Sequence, residues 1–116
     1  MTATTEKEFL PQIEGEFAHS WALVIGISAY TNDITPLHSA ASDAGRLASI
    51  LEQKHGYSVT LLTDAQASKA GLRQALAGLA TQVGPQDRLL VYYAGHGQTD
   101  QTQDGEEALN LIPQDA

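Results

Sequence analysis

Apolar and polar positions alternate along the chain in two rhythms. "WALVIGI" (21–27) and "RLLVYYA" (88–94) are near-continuous apolar runs rich in β-branched and aromatic residues. Such runs mark strands buried on both faces. "YSVTLLT" (57–63) reads as a strand between them, and "ALNLIP" (108–113) as a short fourth. Apolar residues at Ala40, Ala44, Leu47 and Leu51 follow helical spacing, so a helix is predicted from about Ala40 to His55, with Gly56 as its stop. Ser68 is placed to cap a second helix with Leu72, Leu76 and Leu79 along one face, and Gly84-Pro85 ends that segment. "SAYTNDITPLHS" (28–39) and "QTDQTQDGEE" (98–107) read as polar loops. Residues 1–19 form a polar leader in which only Phe9, Leu10, Ile13 and Phe17 can dock, and 20–116 form the folded part.

The resulting order is strand, helix, strand, helix, strand, strand. It predicts an α/β fold, a mainly parallel sheet with helices on both faces. Open sheets of this kind bind ligands beyond the carboxyl ends of their strands, near the point where strand order reverses. The loop after the first strand (28–39) and the loop after the third (95–107) are therefore the candidate site loops.

Composition narrows the picture. With 116 residues, 42% of them hydrophobic, the chain suits one domain with a real core. A net charge of −8 argues against nucleic acid and against an anionic membrane surface as partners, since both call for clustered Lys and Arg. No apolar run approaches the roughly 18 residues of a membrane span. The first residues carry Glu6, Lys7, Glu8, Glu14 and Glu16 and no apolar core, so no signal peptide is read there and a cytoplasmic location is expected. The chain has no cysteine, which leaves no disulfide and no Cys-based metal site within it.

The chemistry centres on "AGHGQ", where His96 stands between Gly95 and Gly97 at the end of a strand. Imidazole titrates near neutrality and can move protons at physiological pH. A following glycine leaves its N–H accessible to a ligand oxygen, so His96 and Gly97 could pair a general base with an oxyanion donor. Taken alone, the tripeptide reads first as a tight turn holding a partly buried, satisfied histidine. The other histidines offer less: His19 lies in the leader, His38 in a loop, and His55 at a helix end, where a positive ring suits the dipole. No two have metal-ligand spacing on one element, so no metal site is expected.

The elements "WALVIGISAY", "SDAGRL", "GYSVTLLTD" and "LLVYYAGHG", in this order, resemble the caspase-like cysteine peptidases, and among them the prokaryotic caspase homologues and metacaspases. The resemblance runs from about residue 20 to 115. It implies a three-layer caspase-like fold, incomplete at the C-terminus, and peptide-bond hydrolysis by a Cys–His dyad. His96 is then the catalytic histidine, and Gly97 supplies an N–H of the oxyanion hole. The cysteine belongs after the next major strand, where it attacks as thiolate while histidine handles the protons. This sequence stops at Ala116 without reaching it. Family members are cut after the cysteine, so a boundary ahead of it does not match maturation. The chain is therefore expected to be the amino-terminal piece of a longer peptidase, to need the remaining C-terminal part as partner, and to be inactive alone.

Specificity is implied by the same resemblance. Caspases that cut after Asp carry an arginine six residues ahead of the position of Asp43; here that position is Leu37, and no Arg or Lys occurs from 28 to 42. In metacaspases the aspartate at the position of Asp43 lines the pocket for a substrate Arg or Lys. A peptide or protein substrate, cut after a basic residue, is expected. Asp43 would also suit a first helical turn simply through the dipole. No cofactor is expected. Calcium, which activates many metacaspases, is the one ion to weigh against the acidic loop of Asp100, Asp104, Glu106 and Glu107. Its spacing starts like an EF-hand, but Thr102 is a poor third ligand and Leu111 stands where a bidentate Glu is needed. Two other readings stay open. One is a caspase-shaped binding or regulatory module without a nucleophile. The other, more remote, is a nucleotide-binding domain, although "GISAYTND" has no phosphate loop.

Overall fold

The computed structural model describes residues 17–101 and 103–116. Strand β1 (Ser20–Gly26) is followed by helix α1 (Ala40–His55) and β2 (Ser58–Thr63). A 3-10 turn (Asp64–Ala67), helix α2 (Lys69–Gln82) and β3 (Arg88–Ala94) come next, then β4 (Gly97–Gln101) and β5 (Glu107–Leu111). The first three strands form a parallel sheet in the order β2-β1-β3.

The apolar run of β1 explains the layering. Because alternate side chains leave a strand on opposite faces, Ala22 and Val24 meet Ala44, Ala48 and Leu51 of α1 on one side. Leu23, Ile25 and Ile27 meet Ala67 and Leu79, from the α2 side, on the other. One strand thus nucleates two cores, and the expected helix–sheet–helix layering follows. Register aligns Gly26 with Thr63 and with Ala94, so the three strands end together on one rim. β1 sends its crossover through α1 to β2, and β2 sends its own through α2, on the other face, past β1 to β3, so strand order reverses beside β1.

Both helices start and stop where the sequence places them. Gly56 adopts φ 70, and the Tyr57 N–H returns to the Leu51 carbonyl at 3.1 Å, closing α1. Ser68 Oγ accepts the Gly71 N–H at 3.1 Å, capping α2. One residue of the predicted α2 face is misplaced. Leu72, Ala75 and Leu79 pack inward, while Leu76 is 52% exposed. Position 75 takes the inner place because i, i+3, i+7 and i, i+4, i+7 differ by one step round the helix, and the small Ala75 lets the helix approach the sheet.

The segment 98–107 is not a loop throughout. Gly97–Gln101 forms β4 and pairs antiparallel with β5, Gly97 opposite Leu111 and Gln101 opposite Glu107. β5 therefore does not extend the parallel sheet as a fourth strand; it belongs to a hairpin with its own two-stranded sheet. Backbone groups alone make that ladder, so polar side chains suffice, and Gly105 at φ 82 supplies the turn.

At the opposite rim, the Asp87 carboxylate accepts the Gly84 N–H at 2.8 Å and the Trp21 indole N–H at 3.0 Å. These donors, Gly84 first, hold its carboxyl below the ordinary value of 3.8. A depressed carboxyl contributes stability that is complete above its unfolded value and is lost as pH falls through the lower folded value. Urea midpoints, followed by the single tryptophan, Trp21, are accordingly expected to differ between wild type and Asp87→Asn at pH 7 and to converge below pH 3.8.

Candidate active site

His96 emerges two residues past β3, on the rim where the strands end. Its ring lies beside Tyr30, with centroids 5.3 Å apart, and its Nε2 is 2.8 Å from the Thr35 carbonyl. A carbonyl only accepts, so Nε2 carries a proton and donates it to Thr35. Nδ1 is then the nitrogen left to take or give a proton in chemistry. The two candidate loops thus meet: 28–39 supplies the anchor and 95–97 supplies the base.

Each neighbour of His96 has its own reason. A Cβ on Gly95 would stand 2.6 Å from Tyr93 Oη and 2.9 Å from Tyr30 Oη, so this glycine is required by the packing of two phenols. Gly97 begins β4. The Ile112 N–H donates to the His96 carbonyl at 3.1 Å, which makes His96/Ile112 a hydrogen-bonded position of the ladder. Alternation makes Gly97/Leu111 a non-bonded one, so the Gly97 N–H points away from β5. An N–H aimed outward beside a histidine is what an oxyanion donor requires.

The 28–39 loop is fastened at its root. The Asp64 carboxylate accepts the N–H groups of Ser28 and Ala29, both at 2.9 Å, from a residue held at φ 48. The Ser28 carbonyl accepts the Leu37 N–H at 2.8 Å, closing the loop, and Ser28 Oγ accepts the Ala41 N–H at 2.9 Å in the first turn of α1. Asp43 follows, part-exposed in that same turn, which packs over Gly26 at the end of β1. Residue-type patterns identify none of the support: a backbone carbonyl such as that of Thr35 has no signature, and Asp64, Tyr30 and Tyr93 read as ordinary strand and turn residues.

The remaining histidines lie elsewhere in role. His19 is 2.7 Å from Ser58 Oγ and lies tilted against Trp21 at the far rim; His55 closes α1; His38 is exposed. Asp104, Glu106 and Glu107 are exposed around the hairpin turn, and among the described residues no three His, Cys, Asp or Glu are grouped to hold a metal ion. No helix among the described residues is long and apolar enough to cross a membrane.

A parallel sheet between helices, with a glycine-flanked histidine at the switch point, defines a caspase-like α/β domain. The caspase domain profile matches residues 19–114, and the chain belongs to that family. It is 32% identical over 95 residues to metacaspase-1 of Saccharomyces cerevisiae and 30% identical to metacaspase-1B of Aspergillus niger, covering 74% of this chain in both cases. It spans about 22% of the length of those relatives. A crystal structure of protein GSU0716 from Geobacter sulfurreducens superposes with a TM-score of 0.71 at 23% identity, over 84% of this chain and 40% of that one, and shows the same fold.

Proposed function

We propose that this chain carries the histidine half of a cysteine endopeptidase that cuts after Arg or Lys. The cysteine would lie on a segment beyond Ala116. The observation that carries the reading is the setting of His96: its Nε2–H is fixed on Thr35, its Nδ1 is left for chemistry, and the adjacent Gly97 N–H points outward. Family membership supports the peptidase class.

In this reading the cysteine thiolate attacks the scissile carbonyl, whose oxygen gains negative charge beside the Gly97 N–H. His96 Nδ1–H then protonates the departing amine, leaving an acyl-enzyme and a neutral imidazole. A water gives one proton to Nδ1 and attacks the thioester, which expels the thiolate and restores the thiolate–imidazolium pair; the carboxylic acid product then loses its proton to solvent. Asp43, at the start of α1, would hold the basic side chain preceding the cut.

The first test is the intact mass of the native gene product, with and without thiol alkylation. A product well above 12.4 kDa that gains an adduct is expected. A 12.4 kDa product with no adduct would sink the peptidase reading and leave a caspase-shaped binding module. With the cysteine present, Asp43→Ala is expected to lower kcat/KM on Arg-ended peptides by on the order of 30- to 100-fold, the scale of a charge-assisted hydrogen bond. Asp-ended peptides should remain uncut. An equal loss on Arg-ended and uncharged peptides would remove Asp43 from the pocket.

A further inference from the structure

The mouth of the β4–β5 hairpin departs from a regular ladder at His96 and Ile112. An antiparallel hydrogen-bonded pair exchanges two N–H···O bonds. Here one is made, from the Ile112 N–H to the His96 carbonyl at 3.1 Å. The reciprocal groups are served by phenols instead. The His96 N–H donates to Tyr30 Oη at 2.8 Å, and the single proton of Tyr93 Oη is shared between the His96 carbonyl at 2.7 Å and the Ile112 carbonyl at 2.9 Å. Tyr30 Oη lies 3.5 Å from both Tyr93 Oη and the Ile112 carbonyl, within reach for its own proton. Two hydroxyls thus stand where a ladder bond would otherwise close.

We propose that Tyr30 and Tyr93 are positioning residues for His96: their hydroxyls grip its N–H and C=O, so that the loop anchoring the imidazole also fixes the backbone from which it projects.

Three observations bear on this independently. Tyr30 belongs to the same 28–39 loop as Thr35, so one loop holds His96 by backbone and by ring. That loop is itself tied down by the buried Gln114, which donates to the Ala29 carbonyl at 3.2 Å and accepts the Thr31 N–H at 3.2 Å. Gly95 leaves room for the two hydroxyls, where any Cβ would collide with both. Burial and the bond to Tyr30 push the Tyr93 phenol well above its ordinary value, so it stays a donor throughout the working pH range.

The kinetic role rests on the peptidase reading, whereas the grip itself does not. The test therefore has two arms, both on the native protein. The first reads the His96 tautomer by nitrogen-15 resonance in protein labelled at histidine, assigned by loss of the signal in His96→Ala. Wild type, with its thiol alkylated and at a pH where the ring is neutral, is expected to show the Nε2–H form. Tyr30→Phe lets the His96 N–H fall back on the Ile112 carbonyl, and the Nδ1–H form should then rise several-fold. Tyr93→Phe, which frees the carbonyl side, should act in the same direction. The second arm is cleavage of an Arg-ended peptide. Each variant is expected to lose about tenfold in kcat with KM within about twofold, the pattern of a displaced group that acts only in the transition state. The double variant should lose less than the product of the two, since both act on one peptide unit. An unchanged tautomer in both variants, with circular dichroism showing them folded, would overturn the proposal. A shifted tautomer in protein whose wild type does not cleave would sustain the grip and sink the peptidase reading alone.

Discussion

Replacing His96 by alanine in protein that carries the cysteine is expected to abolish cleavage of basic peptides, with kcat/KM falling by at least about a thousandfold. The ring contributes one exposed hydrogen bond, to Thr35, so folding stability should change by about 1 kcal/mol or less. Chemistry and stability thus separate in this one variant. His96→Gln sharpens the reading. A glutamine side chain retains N–H donors for the Thr35 carbonyl but has no nitrogen that titrates near neutrality. If the proton carried by Nδ1 is what matters, the two variants lose activity alike. If the hydrogen bond to Thr35 were the whole contribution, glutamine would recover most of it. A loss under tenfold in both would remove His96 from the reaction and place the proton transfer on another group.

The histidine was legible because local sequence states its setting: a buried run, a small residue, then His96 between glycines. β3 matches the apolar run Arg88–Ala94, and α1 spans Ala40–His55 as the spacing of Ala44, Leu47 and Leu51 with Gly56 predicts. What escaped lies where side-chain pattern carries little information. β4 is built from Gly97, Gln98, Thr99, Asp100 and Gln101, whose polarity reads as loop because a backbone ladder needs no apolar partner. Asp104-Gly105 ahead of "ALNLIP" was the available sign, since Asp-Gly favours hairpin turns. Leu76 was misassigned because leucine suits either of two adjacent helix positions, and only the sheet's proximity selects Ala75. The Thr35 carbonyl and the tyrosine hydroxyls become functional only when segments some sixty residues apart meet, a relation no local window contains.

The largest stability effect is expected at Gly26→Ala. Gly26 ends β1 beneath the first turn of α1; a Cβ there would be driven into the Ala40 carbonyl oxygen and would stand 2.5 Å from Ala44 Cβ. Both are rigid: one is backbone, and the other is the only side-chain carbon of a fully buried alanine. Neither can rotate aside, so the helix must lift, at a cost of about 3 kcal/mol. For a domain of this size that corresponds to a midpoint lowered by about 10 °C or more. The same displacement would strain the Ser28 Oγ bond to the Ala41 N–H and carry Asp43 away from the rim. Activity on Arg-ended peptides should therefore fall even at temperatures where Gly26→Ala stays folded. Gly45→Ala is the matched control. It lies on α1 with nothing within 4 Å of its Cβ, and alanine suits a helix interior better than glycine. That variant should gain about 0.5–1 kcal/mol in thermal unfolding and keep its activity. Opposite signs from the same substitution, within twenty residues, would locate the constraint in the close approach of α1 to β1. Equal small effects would mean that the helix does not rest on Gly26 in solution.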